Sequence, residues 1–142
     1  MASSKFAAQV GAFAEKCKRR QLAIFRESTQ RVAQRAGVPE TRGGKMPVDT
    51  GFLRNSVAAS KTGMPSTGAQ PPELVLLNVQ IGDTVWVGWT AAYAMRMEYG
   101  FEGDDSLGRT YSQAGKGFLR AQVQLWDSIV ADVTAEVRRR FP

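Results

Sequence analysis

Apolar residues near the N-terminus repeat at the spacing of an amphipathic helix. They follow one another at intervals of three, four and seven residues, which keeps them on one helical face: Phe6, Val10, Phe13, Cys17 and Ile24. Ser3 or Ser4 can cap the start of such a helix, and Gly37 followed by Pro39 is a typical end. The pattern predicts a helix, in one piece or two abutting ones, over residues 4–36.

A second helical pattern occupies the C-terminal part of the chain. Its apolar positions alternate between steps of four and three residues, which is the seam of a helix that packs along its length: Leu119, Val123, Trp126, Val130, Val133 and Val137. We expect a helix over residues 117–140, packed on the N-terminal helix or on a sheet. Three arginines, Arg138 to Arg140, suit the negative end of its dipole.

The middle of the chain carries β-type patterns. Runs rich in Val, Leu and Trp predict strands over residues 56–61, 73–81 and 84–90,. Gly82-Asp83 between the last two runs predicts a tight hairpin. The third strand has apolar residues on both faces, so we expect one face to meet the helices and the exposed face of the Trp86 strand to meet another subunit.

Together these patterns predict an α+β fold, with one domain over residues 1–142. Long N-terminal and C-terminal helices pack on a small, mostly antiparallel β-sheet, and residues 91–99 form a short helix ended by Gly100. A chain of this length buries about two thirds of its unfolded surface, which is enough for an independent core. Segments rich in Gly, Pro, Ser and Thr predict loops over residues 37–47, 62–72 and 100–117,. The second and third loops are candidates for contact between subunits.

One segment, Met46–Val57, combines turn signals with core signals. The ring of Pro47 fixes its own backbone, the Asp49 carboxylate can accept the N–H of Gly51, and Gly51 permits a positive φ. We therefore expect the chain to turn sharply here. It should then continue into a packed core through Phe52, Leu53 and Val57.

Composition removes several enzyme classes. Histidine is absent and Cys17 is the only cysteine, so the chain has no imidazole base, no internal disulfide and none of the usual zinc ligand clusters. Cys17 lies on the helical seam, where a buried inert thiol is expected. The N-terminus has no apolar run of a signal peptide, and no stretch approaches the roughly 20 apolar residues of a membrane span. We expect synthesis in the cytoplasm and no membrane contact.

The letters Asp49-Thr50-Gly51 also occur in aspartic proteases. Such enzymes need two carboxylates that share a proton between mirrored apolar loops, whereas Lys45 precedes this motif and Arg54 follows it closely. A turn explains the three residues more simply. Phosphate-binding glycine motifs are also missing, so we predict no enzymatic activity, no cofactor and no metal.

Positive charge is concentrated toward the ends of the chain. The net charge is +6, and residues 1–47 carry ten Lys and Arg against three Glu, while residues 48–112 carry four against seven acidic residues. A tight basic cluster lies off the helical seam: Lys16, Lys18, Arg19 and Arg20. It is consistent with a solvated helix face, with contact to DNA, or with contact to an acidic neighbouring subunit.

Three short motifs give the chain a family resemblance. They are Pro47–Val57 (Pro-Val-Asp-Thr-Gly-Phe-Leu-Arg-Asn-Ser-Val), Tyr93–Gly100 with Glu98-Tyr99-Gly100 at its end, and Gly117–Ala121 (Gly-Phe-Leu-Arg-Ala). In this order and spacing they resemble the neck, or tail-completion, proteins of tailed bacteriophages. The likeness covers residues of about 46–125 and does not extend to the last residues.

This resemblance implies a structural virion protein, assembled in the host cytoplasm, that joins the phage head to the tail. It implies a homo-oligomeric ring, sixfold or twelvefold, between the head-closure or adaptor protein and the tail terminator, with non-specific contact to packaged DNA. A tail terminator, a head-closure protein and a non-specific DNA-binding protein remain alternatives. The motif positions are the candidate interface or fold residues: Asp49, Thr50, Gly51, Leu53, Arg54, Tyr93, Glu98, Gly100, Phe118, Leu119 and Arg120. Glu98, near the negative end of its helix, should have a cationic neighbour such as Arg54 or Arg96.

Overall fold

The fold is α+β, with two long terminal helices and two small antiparallel sheets. The computed structural model describes residues 2–49 and 51–142. Its helices are α1 (Ala2–Ala36), α2 (Phe52–Asn55), α3 (Pro72–Leu77), α4 (Ala94–Tyr99), α5 (Arg120–Val123) and α6 (Trp126–Arg140), and its strands are β1 (Val57–Ser60), β2 (Trp86–Trp89), β3 (Gly100–Asp104) and β4 (Thr110–Ala114). A 3₁₀ turn at Glu40–Arg42 follows α1.

Helices α1 and α6 pack against each other in antiparallel fashion. The Arg31 guanidinium lies 2.8 Å from the Glu136 carboxylate, and Arg140 pairs with Glu27 further toward the start of α1. Between the helices lies a fully buried aliphatic cluster, covered on the α1 side by Ala23, Ile24 and Val32: Ile129, Val133 and Val137. The predicted N-terminal helix is confirmed, and of the two partners predicted for the C-terminal helix, the N-terminal helix or a sheet, the structure shows α6 packed on the N-terminal helix.

The α1 helix is much longer than the helix that covers it. It has 35 residues against 15 in α6, which at a rise of about 1.5 Å per residue gives lengths of about 52 and 22 Å. Residues 3–15 are exposed without exception; we call this segment the α1 extension. The predicted seam therefore divides, and Phe6, Val10 and Phe13 face solvent while Cys17 is only half-buried.

The second core cluster lies where the end of α1 meets the turn, α2 and the start of α5. Ala36, Met46, Leu53, Ala91 and Phe118 are buried together. Trp89 packs its ring edge-on against Phe118 at a centroid distance of 5.2 Å. The loop after α1 is held to this cluster because Met46 donates its N–H to the Val38 carbonyl at 3.1 Å.

The strand predicted over residues 73–81 is wrong, because residues 72–77 form α3. Pro72 stands at the first turn of the helix, where a missing N–H costs nothing,. Val75, Leu76 and Val79 are buried whereas Leu74 and Leu77 are exposed, which is a helical pattern. The periodicity of a short apolar run cannot distinguish a strand from a buried helix.

The hairpin predicted at Gly82-Asp83 is therefore also wrong. Strand β2 pairs with β1 instead, in an antiparallel register that places Val57 opposite Trp89 and Ser60 opposite Trp86. Gly82 has a φ of +96°, and the Asp83 carboxylate accepts the Gln80 N–H at 2.8 Å. These residues form a turn after α3.

The loop predicted over residues 100–117 contains the β3–β4 hairpin. Gly100 pairs with Ala114 and Asp104 with Thr110. At its tip, the Asp105 carboxylate accepts the N–H groups of Leu107 and Arg109 at 2.9 Å each. The sequence does not signal this strand pair, since all residues of β4 are exposed and no alternating pattern results,.

The predicted C-terminal helix is interrupted between α5 and α6. Residues 124 and 125 lie outside both helices, and the buried seam consequently falls on Ile129, Val133 and Val137. Val123 and Trp126, which the pattern places on that seam, are 54% and 38% exposed.

None of the helices in residues 2–49 and 51–142 combines the length and the apolar character that crossing a bilayer requires.

Candidate functional site

The second and third sequence motifs meet around one buried carboxylate, whereas the first motif meets the third in the core, where Leu53 and Phe118 are buried together. Glu98, at the end of α4, is 5% exposed and accepts the backbone N–H of Leu119 at 3.0 Å and of Arg120 at 2.8 Å. The Arg120 guanidinium lies 3.3 Å from the same carboxylate and donates to the Glu98 carbonyl at 3.0 Å. Glu98 thus satisfies N–H groups that the first turn of α5 leaves without helical acceptors.

The expected cationic neighbours of Glu98, Arg54 and Arg96, both have other contacts. Arg54 donates from Nε to the Gly37 carbonyl at 2.8 Å and so ties the turn to the end of α1. Arg96 stacks over the ring of Phe101 at 4.2 Å from its centroid,. The prediction that one of them pairs with Glu98 is wrong, and Arg120 takes that role.

Close backbone contact explains the glycine of the second motif. Gly100 has a φ of +90°, and a Cβ atom there would lie 2.6 Å from the Gln113 carbonyl oxygen. A Cβ atom at Gly115 would lie 2.5 Å from the Glu98 carbonyl oxygen. The end of α4 and the end of the β3–β4 hairpin can approach this closely only because both positions lack a side chain.

In the first motif, the structure separates core residues from surface residues. Gly51 has a φ of +83° and precedes α2, as predicted, and Leu53 is 3% exposed in the core. Phe52 is 61% exposed, so the expectation that it enters the core is wrong. Asp49 is exposed, and Thr50 lies outside the described residues.

The exposed part of this motif borders a cleft. Phe52 and Tyr93 bring their rings to a centroid distance of 6.2 Å, and the cleft has a volume of about 230 Å³. We call it the motif cleft; its lining includes Glu40, Val48, Asp49, Phe52, Tyr93 and Met97. The Glu40 carboxylate forms an ion pair of 3.0 Å with Lys116. The sequence singles out Asp49 and Tyr93 of this lining. Val48, Phe52 and Met97 belong to the same motifs, but no local pattern signals that they line a cleft: Val48 and Phe52 are exposed, and Met97 is half-buried against the core.

The remaining motif residues maintain the fold. Phe118 is 3% exposed and belongs to the core, and Leu119 is half-buried beside it. Trp86 is half-buried at the start of β2, and in the described part of the chain β2 pairs with β1 alone. Its role in contact with another subunit stays a prediction.

The basic cluster of α1 lies beside the C-terminus. Arg20 donates to the carbonyl of Phe141, and Lys18 forms an exposed ion pair of 3.4 Å with Glu15. The arginines that end α6 are therefore close to the cluster in space. The fold joins two groups that the sequence keeps more than a hundred residues apart: Lys16, Lys18, Arg19 and Arg20 with Arg138, Arg139 and Arg140.

Groups with shifted pKa values lie away from the motif cleft. A hydrogen bond from Arg31 lowers the pKa of Glu136, and the N–H of Arg109 lowers the pKa of Asp105 in the hairpin tip. Across residues 2–49 and 51–142, no three acidic or cysteine side chains are grouped so that they could hold a metal ion. The arrangement around the cleft can bind an apolar and cationic surface, through aromatic rings and carboxylates.

Comparisons of this chain with protein-family models, with curated proteins and with solved structures found no match.

Proposed function

We propose that this protein is a structural component of a tailed-phage virion, which forms a homo-oligomeric ring and joins the head to the tail. The order of the three motifs supports this proposal, as does the contact between the second and third motifs at Glu98. The observation that carries it furthest is the large apolar surface left exposed at two separate places. Phe6 and Phe13 are 67% and 65% exposed on α1, and Phe52 is 61% exposed at the motif cleft.

Exposed apolar side chains grouped at specific places indicate surfaces for protein contact. A closed ring needs two different surfaces on each copy, because each copy contacts its neighbours through a head-to-tail interface. The α1 extension and the motif cleft are two such surfaces on one chain. The proposed partners above and below the ring are a head-closure or adaptor protein and a tail terminator.

The proposal is tested by the state of the purified full-length protein. We expect native mass spectrometry to give a closed oligomer, six or twelve copies, and negative-stain images to give rings. A phage that lacks the protein should accumulate filled heads and separate tails. A protein that stays monomeric at every concentration, and whose loss leaves joined particles intact, would end the proposal. Immunolabelling of the joint distinguishes a neck protein from a tail terminator or a head-closure protein.

A second candidate function is non-specific binding of duplex DNA. It is favoured by the proximity of the basic cluster on α1 to the arginines that end α6, because clustered cations release counterions when they bind phosphates. If the cluster contacts about five phosphates, the logarithm of the binding constant should fall with the logarithm of salt concentration with a slope of about −4.5.

Charge-reversal variants test whether the basic cluster is the surface that binds DNA. The double variant Lys16→Glu/Arg19→Glu should abolish the gel shift of duplex DNA, whereas the equally charged control Arg42→Glu/Lys45→Glu, on the exposed loop after α1, should retain it. Equal loss in both variants would mean that net charge alone drives the binding.

A further inference from the structure

Strand β1 has a second edge, which no other strand of the described residues covers. The Ser56 carbonyl accepts the Thr90 N–H at 3.0 Å, so the backbone of Ser56 is directed toward β2. Because this direction alternates along an antiparallel strand, the N–H and C=O groups of Val57 and Ala59 are directed away from β2. The Ala59 N–H indeed donates to the Gln70 carbonyl on that side, at 2.9 Å.

The segment that covers this edge ends after one contact. Gln70 is followed by Pro71 and Pro72, and Pro72 begins α3. Proline has no N–H with which to continue a ladder, so the segment cannot extend its pairing to Val57. Among the described residues, no backbone hydrogen bond outside the helices and sheets involves Val57. The backbone groups of Val57 are thus directed toward a place that the chain itself leaves open.

A groove of about 370 Å³ lies at this place, and Val57 is part of its lining. The charges of Arg54 and Glu73, which also line it, balance each other. We call it the edge groove; its other lining residues include proline and tryptophan rings and three side-chain amides: Pro71, Pro72, Trp89, Gln30, Gln34 and Asn55. Amides both donate and accept hydrogen bonds, as peptide groups do. The groove therefore suits an uncharged polypeptide segment.

Two polar atoms of the lining residues lack partners. Trp89 Nε1 and Gln30 Oε1 are buried, and neither has a hydrogen-bond partner within residues 2–49 and 51–142. A buried donor or acceptor without a partner costs free energy, and native proteins keep few of them. Their place beside the groove favours an occupant that brings both an acceptor and a donor, as a peptide group does.

Strand β4 has the properties of such an occupant. Its sequence, Thr-Tyr-Ser-Gln-Ala, is uncharged, and all five residues are exposed. The Asp105 N–H donates to the Arg109 carbonyl at 2.9 Å. By alternation along the ladder, the backbone groups of Thr110, Ser112 and Ala114 are directed away from β3,. Natural edge strands are usually protected by charges or prolines, and β4 has neither.

We propose that β4 of one copy binds in the edge groove of the next copy, where the backbone of Ser112 pairs with that of Val57. The contact joins the β1–β2 and β3–β4 sheets of two copies into one sheet of four strands. Isolated two-stranded sheets are marginal in water, so both sheets gain from it. Because the contact joins two different surfaces, it can continue from copy to copy around a ring. The inference rests on the proposed function for ring closure only.

Pairing of two β4 strands with each other would make a poorer contact. All residues of both strands are exposed, so neither face of such a pair would be covered by apolar groups. In the edge groove, the rings of Pro71, Pro72 and Trp89 supply this cover. The occupant of the groove is therefore β4 of a second copy.

Cysteine pairing between copies tests the contact. In a Cys17→Ser background, one preparation carries Asn55→Cys at the groove and the other carries Ser112→Cys on β4, and the two are mixed under mild oxidation. We expect a disulfide-linked heterodimer. In the control mixture Ser128→Cys, at an exposed serine of α6 away from the proposed contact surfaces, replaces Ser112→Cys. It should cross-link at least about tenfold more slowly, because contact raises effective concentration.

Equal or faster linkage to Ser128→Cys would overturn the proposal, and so would preferential linkage of Ser112→Cys to itself. Absence of any linkage would also overturn it. Each variant is first compared with the parent by circular dichroism. Asn55, Ser112 and Ser128 are exposed and Cys17 is half-buried, so the fold should be retained.

A second measurement removes one backbone N–H. Ser112→Pro deletes the N–H that is directed toward the next copy, while the ladder of the β3–β4 hairpin uses the neighbouring residues Tyr111 and Gln113 and is kept,. We expect sedimentation velocity to show self-association weakened by about tenfold or more, since the Val57 carbonyl loses its donor. The matched control Ser112→Ala keeps the N–H and should associate like the parent. Unchanged association of Ser112→Pro would contradict the proposal, as would equal weakening in Ser112→Ala.

The two failures can be told apart. Rings that join heads to tails but lack the linkage between positions 55 and 112 would leave the proposed function standing and remove this contact. The linkage in a protein that forms only open chains, and that is absent from phage particles, would leave the contact standing and remove the proposed function.

Discussion

Replacement of Glu98 by Gln is the most direct test of how the second and third motifs hold together. The carboxylate is 5% exposed, and it accepts two backbone N–H groups at 3.0 and 2.8 Å while Arg120 lies at 3.3 Å. Gln has the same shape but only one acceptor oxygen. Its amide nitrogen would face an N–H group, so one hydrogen bond is lost and the attraction to Arg120 is weakened.

A hydrogen bond to a charged group contributes about 1.5–3 kcal/mol. We therefore expect Glu98→Gln to lower the free energy of unfolding by about 2–3 kcal/mol. For a chain of this length that corresponds to a fall in Tm of roughly 6–12 °C. Glu98→Ala should cost more, because both N–H groups would then be left without an acceptor, at about 1–3 kcal/mol each.

Urea denaturation with circular dichroism measures the change, and the midpoint should fall while the slope stays constant. The matched control is Glu102→Gln on β3, the same substitution at an exposed carboxylate, which should change stability by less than about 0.5 kcal/mol. If the two variants are equally stable, Glu98 does not hold α4 to α5, and the motifs are not joined through its carboxylate.

Three further predictions concern pH, backbone and core. The hydrogen bond from Arg31 lowers the folded-state pKa of Glu136 from its ordinary value of 4.5. The stability advantage of the native chain over Glu136→Gln should therefore be full above pH 4.5 and disappear as the pH falls through the folded-state pKa. Denaturation at about pH 6 and about pH 3 measures this advantage, and an advantage that is the same at both pH values would contradict the prediction. Gly100→Ala should be destabilising in thermal melts by more than about 1 kcal/mol, because φ is +90° and a Cβ would meet backbone, whereas Gly63→Ala has open space and should have little effect. Leu53→Ala should cost about 2–5 kcal/mol, whereas Leu77→Ala, at a position 68% exposed, should cost much less; equal losses would place Leu53 outside the core.

The terminal helices can be predicted from the sequence because their apolar periodicity continues over many turns. The middle of the chain cannot. Residues 73–79 are mostly apolar, and their pattern suits a strand or a buried helix equally. Pro72 favours a helix start, but the sequence does not show that the residue before it is extended, as the structure does. Strand β4 has no buried side, so it leaves no alternation to detect.

The motif residues can be selected from the sequence, but their roles cannot be assigned. The position of Glu98 near the negative end of its helix predicts a cationic neighbour but does not identify which cation it is. Glu98 can accept the N–H groups of residues 119 and 120 only because α5 begins beside the end of α4. That placement is tertiary, and it depends on Gly100 and Gly115, whose lack of side chains lets the two segments meet.

The N-terminal seam shows a more general limit of periodicity. Periodicity predicts which face of a helix is to be buried, but it does not indicate whether the covering element belongs to the same chain. In this protein the length of α6 decides, because 15 residues can cover less than half of a helix of 35. The part of the seam near Ile24 and Val32 is covered within the chain, and the part from Phe6 to Phe13 is exposed. The same repeat therefore encodes folding in one half of α1 and, on our proposal, assembly in the other.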